Sequence, residues 1–315
     1  MSFRFFRCLI AHLEDRLSSG YLEGKLDAYL CEQSDETIGR AMERVQYYHR
    51  TDRKFAAWHG EMDIWPKPSC RYADDFRAYR RHFPPQSKIH YRGGARGLPG
   101  DCPTIVQSRS IHCVNERAIL FKFDAKAGFP RIRDGRRFME KRALAVTAGE
   151  PDLCSDPRAA QDDGVGRGNV RSQRGGGWRT VLTPVLSRKQ LLEFKYILFD
   201  QSAASHGNPK WIMSSQSLCM MPQPAYETWF MEGCLRPNYH FVALKQDLSD
   251  FEEKIAYYSD HPSEAEEIIE NANIYAERFD DAESERLIAC LVLVKYLYFS
   301  GQIEISERVK SFLHD

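Results

Sequence analysis

The second half of the chain alternates short apolar runs with capped amphipathic segments, and no other feature restricts the fold as much. KYILFD (Lys195–Asp200), SLCMM (Ser217–Met221) and YHFVALK (Tyr239–Lys245) read as strands, being short, apolar and rich in branched and aromatic side chains. Between the first two, Asn208 offers an N-cap and Pro209 a preorganised first helical position for Lys210–Met213. Pro222 and Pro224 end the second run, and Tyr226–Glu232 fits one or two helical turns. Ser249-Asp250-Phe251-Glu252 has the form of a capping box. A further helix starts at Pro262, with Ile268, Ile269, Ala272, Tyr275, Ala276 and Phe279 as its apolar stripe. The last long helix, about Asp281–Phe299, is nearly all apolar around Leu287–Leu297 and is closed by Gly301. Strands alternating with helices predict an α/β fold, with a parallel sheet that takes ligands beyond the carboxyl ends of its strands.

At 315 residues the chain exceeds one ordinary core and suits two domains. Residues 1–60 read as helical, with Tyr47 and Tyr48 near the end of an amphipathic segment, and 61–100 as irregular. PTIVQSRSI (Pro103–Ile111) and AILFKF (Ala118–Phe123) read as strands. Residues 147–180 break the pattern: seven glycines, no aromatic before Trp178 and no apolar periodicity make them a loop or disordered segment by composition. The expected organisation is an N-terminal acceptor-side domain over 1–146 and a divergent Gly/Arg-rich loop or insertion over 147–180. A ligand-binding domain then spans 181–279, and C-terminal helices over 280–315 pack between the domains.

Lys plus Arg and Asp plus Glu number 44 each, so net charge gives no reason to expect a nucleic-acid partner. The basic stretch Arg131, Arg133, Arg136, Arg137, Lys141, Arg142 reads as a solvated face. The nine cysteines include no C-x-x-C pair and read as scattered reduced thiols rather than a metal or redox centre. Charged residues interrupt the apolar N-terminus, and no window supplies the ~20 apolar residues of a membrane helix. A cytoplasmic protein is expected. The first helix, with Phe3, Phe5, Phe6, Leu9 and Ile10, reads as core-facing, with a peripheral membrane contact as its second reading.

The strand, small-residue loop and capped helix from Tyr196 to Met213 carry the chemistry. Helix-initial N–H groups attract phosphate, Ser202, Ser205 and Gly207 permit close approach, and Lys210 adds a cation. The same pattern also serves as a plain structural connection.

Lys210–Phe279 contains, in order, Lys-Trp-Ile, Pro-x-Tyr-Glu-Thr-Trp-Phe-x-Glu-Gly, Tyr-His-Phe-Val and Asp-Leu-Ser-Asp-x-Glu-Glu-Lys-Ile, and PTIVQSR (Pro103–Arg109) lies upstream. These blocks closely resemble the capsule-associated-protein type of glycosyltransferases, glycosyltransferase family 90. That family includes bacterial lipopolysaccharide-modifying enzymes and protein O-glucosyltransferases. The resemblance implies two Rossmann-like domains facing a cleft, a GT-B-like arrangement. It also implies an inverting transfer from a UDP-sugar to a lipopolysaccharide core or related glycan, without metal or cofactor. On the donor side it places Asn208, Lys210, Ser214, Ser215, Tyr226, Glu227 and Trp229, with Arg109 upstream. Glu227 would hold ribose hydroxyls. The candidates for the base are Glu116 and Asp101.

Three departures accompany the resemblance. No aromatic-Arg-Gly motif follows Glu140-Lys141-Arg142, Asp200–Ala204 replaces a Leu-Glu-Gly-Asn-Asp loop, and Tyr91–Gly97 lacks an Asp. The alternative function is therefore a catalytically impaired relative that acts as a binding or scaffold protein.

Overall fold

The computed structural model of the protein describes residues 35–56, 87–92, 102–113, 115–123, 134–148, 165–166, 169–174, 177–182, 186–199, 208–305 and 307–314, together with Phe76, Tyr79 and Phe83. It is a mixed α/β structure with parallel sheets. Contacts divide the chain into two units. Met1–Arg109, Cys113–Gly128 and Asp281–Asp315 form the first, and Ser110–His112 with Phe129–Asp280 the second.

In the first unit, strands β1 (Tyr91–Arg92), β2 (Thr104–Val106) and β3 (Ala118–Leu120) form a parallel sheet in that order. Every residue of β2 and β3 is buried, as in a sheet covered on both faces. The helix Asp35–Tyr48 turns Ala41, Met42, Val45 and Tyr48 inward at helical spacing. It packs on the helix Ala282–Phe299, which is apolar nearly all round and buried from Leu291 to Leu297. Within this core one carboxylate, Glu285, meets two cations. The Arg44 guanidinium donates to both Glu285 carboxylate oxygens and to the Tyr48 hydroxyl, and Lys122 Nζ lies 3.1 Å from Glu285 Oε2. Lys295, wholly buried, donates to Gln46 Oε1 at 2.7 Å. A lone buried charge would be far costlier than the Glu285 pairs. The expected stop at Gly301 is present. Its φ of +71° lets its N–H reach Tyr298 O, and the Gln302 N–H reaches Leu297 O, a Schellman closure.

The second unit is built on six strands: β4 (Arg142–Ala148), β5 (Asn169–Arg174), β6 (Gly177–Leu182), β7 (Phe194–Phe199), β8 (Leu218–Pro222) and β9 (Val242–Leu244). Their spatial order is β9-β8-β7-β4-β5-β6. The first four are parallel, in register at Tyr196 with Ala145 and Leu218, and at Met220 with Val242. Tyr196, Leu198, Leu218, Met220, Val242 and Leu244 project to one face and meet Phe251, Ile255, Ile268 and Ile269. The latter side chains come from the helices Phe251–Asp260 and Pro262–Glu277.

Three local readings of the sequence are corrected here. Asn169–Arg174 and Gly177–Leu182 pair as antiparallel strands on the edge of β4, not a loop, with Val170 opposite both Val146 and Val181. Their glycine content conceals the strand-forming run Trp178–Leu182, and the open edge of β4 supplies the backbone partners. Tyr226–Glu227 is extended, and only Glu232–Cys234 makes a 3₁₀ turn, entered through Met231 at φ 58°. The capping box does not form. Asp250 Oδ1 accepts the Lys245 N–H at 2.9 Å, Ser249 N donates to Asp247, and the helix begins at Phe251.

The amino ends of the parallel strands are tied by one side chain. Lys141 Nζ, buried just before β4, donates to Asp134 Oδ2 at 2.6 Å, to Ser217 Oγ at 2.9 Å and to Leu192 O. Asp134 Oδ2 also accepts Gln216 N–H, and Ser217 Oγ donates to Phe194 O. That edge is closed by these bonds, and the opposite, carboxyl edge is where a parallel sheet receives a ligand.

Candidate functional site

At the carboxyl edge, β7 ends at Phe199, β8 at Pro222 and β9 at Leu244. Asn208–Lys210 and Gln223–Glu227 follow the first two strands. Ser202, Ser205, Gly207 and the candidate base Asp101 lie outside the described residues.

The expected helix after Asn208 exists but is a single turn, Lys210–Met213. So short a helix aligns few peptide dipoles, which weakens the argument from helix charge. Asn208 shapes its start: Oδ1 accepts the Lys210 N–H at 3.2 Å, and Nδ2 donates to Thr228 Oγ1 at 3.4 Å. Lys210 is not a solvated charge. It is 3% exposed, and its Nζ lies 2.5 Å from Asp280 Oδ1 at the end of the helix Pro262–Glu277. Ser214 Oγ donates back to Lys210 O and Ser215 Oγ to Ile212 O, so both hydroxyl protons are committed to the main chain. Tyr226 is half-buried and Glu227 buried. Trp229 packs edge-on against Phe230 and Phe279, with ring centroids 6.3 and 5.9 Å away. Around the turn the structure thus gathers Asn208 and Lys210 with Thr228 and Asp280.

Residues 183–284 match the family model described as Glycosyl transferase family 90. Over 263 residues the chain is 35% identical to the O-glucosyltransferase LpsA of Dichelobacter nodosus, covering 80% of this chain and 81% of that protein. The chain belongs to glycosyltransferase family 90.

As a family 90 glycosyltransferase it is an enzyme that takes a sugar donor and an acceptor, as the sequence blocks imply. The matched segment holds every donor-side candidate except Arg109. Arg109 is in the first unit, buried. Its Nη1 donates to Tyr48 O and Ala118 O and its Nη2 to Tyr47 O, with the guanidinium over the Tyr47 ring at 5.2 Å. These bonds join the helix Asp35–Tyr48 to β3. Glu116, also in the first unit, is exposed, and its main-chain oxygen accepts the Thr51 hydroxyl at 2.7 Å.

Three residues of the site were passed over in the sequence: Asp280, Thr228 and Glu232. Asp280 had no signal. Thr228 and Glu232 lie four apart within the quoted block, a visible cue. Glu232 is 1% exposed; its Oε2 accepts the Thr228 N–H at 2.6 Å and its Oε1 the Thr228 hydroxyl at 2.9 Å. Burial pushes its carboxyl up to about 7, opposed by the Thr228 bonds and aided by the nearby Glu227. Burial and the flanking Arg236 and Arg278 lower the His240 imidazole. Among the described residues no helix is long and apolar enough to cross a membrane.

Proposed function

We propose that the chain transfers a glucosyl group from UDP-glucose to a hydroxyl of a lipopolysaccharide core or related glycan. The observation that carries this reading is the 35% identity, over 80% of the chain, to a protein named as an O-glucosyltransferase. The acceptor oxygen attacks the anomeric carbon as the bond from that carbon to the diphosphate breaks. UDP leaves, the acceptor proton passes to a carboxylate, and the anomeric configuration inverts. Asn208, Lys210, Ser214, Ser215, Tyr226, Glu227 and Trp229 form the donor side, with Arg109 upstream. Glu116 or Asp101 is the base. N–H groups and cations, rather than a metal, meet the charge on the leaving diphosphate. The exposure of Glu116 supports its access to an acceptor. The reaction belongs in the cytoplasm, at the inner face of the membrane.

The test is calorimetry with UDP, using ADP and GDP as controls, followed by turnover of UDP-glucose on a lipopolysaccharide-core acceptor and NMR of the new linkage. UDP-selective binding with an inverted product supports the proposal. Binding without turnover would favour a catalytically impaired relative, a reading that the closed Lys210–Asp280 pair also favours. No UDP binding at millimolar concentration would sink the donor assignment.

A further inference from the structure

The buried Glu232 has no part in the chemistry above, yet it ends a chain of hydrogen bonds that reaches the donor turn. We propose that Glu232 is a positioning residue for donor binding: through Thr228 it fixes the orientation of the Asn208 amide and the start of the Asn208-Pro209-Lys210 turn. This role rests on the donor reading given above.

The argument is one of hydrogen-bond polarity. A threonine hydroxyl has one proton and two lone pairs. At Thr228 the proton goes to Glu232, at 2.9 Å from Oε1 and 3.2 Å from Oε2. The lone pairs receive Asn208 Nδ2 at 3.4 Å and the Phe230 N–H at 3.2 Å. The hydroxyl is then full, and only the amino side of the Asn208 amide can face it. The carbonyl side must face the Lys210 N–H, where Oδ1 lies 3.2 Å away. A flipped amide would set its oxygen against the Thr228 lone pairs and its amino group against an N–H. Direction is therefore relayed from a carboxylate, through a hydroxyl and an amide, to the main chain of the turn.

The surroundings of Glu232 make an acid there costly unless its polarity is used. Among the described residues no Lys, Arg or His forms an ion pair with it. The groups facing it are Glu227, which repels it, and Thr228; from the helix Pro262–Glu277, the Tyr275 hydroxyl donates to Phe230 O and Met231 O beside it. A glutamine would fill the same space without the desolvation cost, but its amino group would bring a further donor to a hydroxyl already full.

The test compares wild type with Glu232→Gln, Thr228→Val and Thr228→Ser. UDP affinity is read by calorimetry, donor KM and kcat by turnover, and folding by circular dichroism and Tm. Glu232→Gln and Thr228→Val should each weaken UDP binding and raise donor KM about tenfold, the effect of one lost buried hydrogen bond. In the same experiment kcat should stay within about threefold and Tm should not fall in Glu232→Gln. Thr228→Ser, which keeps the hydroxyl, should restore wild-type affinity. In wild type, UDP affinity should fall as pH drops through about 7, and Glu232→Gln should remove that step. A folded Glu232→Gln enzyme with wild-type UDP affinity, donor KM and pH profile overturns the proposal while leaving the donor reading intact. A Thr228→Ser enzyme as impaired as Thr228→Val also overturns it. Wild type that binds no UDP sinks the donor reading and this role together.

Discussion

Replacing Asp280 by Asn tests whether Lys210 faces the donor or only braces the fold. The pair is 2.5 Å long, with side chains 3% and 19% exposed, so it is largely shielded from water. At an effective dielectric near 20 the attraction is about 7 kcal/mol, most of it offset by the cost of removing both charges from water. Removing one partner of such a pair costs about 3–5 kcal/mol, because the other charge stays buried and uncompensated. Asn keeps the shape and one acceptor oxygen, so the expected loss lies near the lower end, about 3 kcal/mol. That corresponds to a fall in Tm of roughly 6–12 °C for a unit of this size. The stranded ammonium should then welcome an anion. If it faces the donor, UDP should bind Asp280→Asn about tenfold more tightly than wild type, and saturating UDP should recover about 1.4 kcal/mol of the loss. Thermal melts with and without UDP, with uridine as the phosphate-free control, read both effects. A variant melting like wild type refutes the energetic argument. A destabilised variant that UDP rescues no better than wild type shows that Lys210 braces the one-turn helix and does not meet the diphosphate.

Three further outcomes are expected. Burial, reinforced by the Lys295 ammonium, lowers His49 to about 3 from its ordinary value near 6.5. The unfolded chain therefore binds the extra proton between those values, and stability should fall as pH drops through that window by up to ~1.4 kcal/mol per unit; urea melts of wild type and His49→Phe at pH 4–7 should differ in slope, and parallel slopes would sink the assignment. Lys141→Met strands Asp134, which is 6% exposed, and should cost about 3–5 kcal/mol in a urea melt followed through the second unit; a loss below about 1 kcal/mol would show that the amino-edge tie is dispensable. Glu116→Gln should lower kcat at least about 100-fold with UDP affinity unchanged, and a kcat near wild type would leave Asp101 as the remaining candidate base.

The frame of the second unit was legible because its information is local. The apolar runs at Lys195–Asp200 and Ser217–Met221 and the proline at 262 each act within a few residues and reappear as strands and a helix start, as the glycine at 301 does as a helix end in the first unit. The strand pair Asn169–Arg174 and Gly177–Leu182 was not legible, because its stability comes from the neighbouring edge of β4 rather than from its own composition. Lys210 shows the same limit at the site. Its residue type suggested a free cation, but Asp280, seventy positions away, decides its charge environment. The family resemblance places Ser214 and Ser215 on the donor side, and main-chain oxygens of the one-turn helix capture both hydroxyls. Thr228 and Glu232 were within reach of the sequence, four residues apart in a quoted block, yet their meaning depends on the buried contact to Asn208.

The division of the chain also sets the order in which it can be finished. The second unit is nearly one stretch, complete once Asp280 has left the ribosome, whereas the first waits for Asp281–Asp315. Until then the apolar face of the helix Asp35–Tyr48, made first, lacks the buried helix Ala282–Phe299 on which it packs. The helix Asp35–Tyr48 is thus made long before the helix it packs on, and its apolar face stays uncovered in the interval. A premature stop just after Asp280 would spare the residues of the second unit and leave the helix Asp35–Tyr48 without the helix on which it packs.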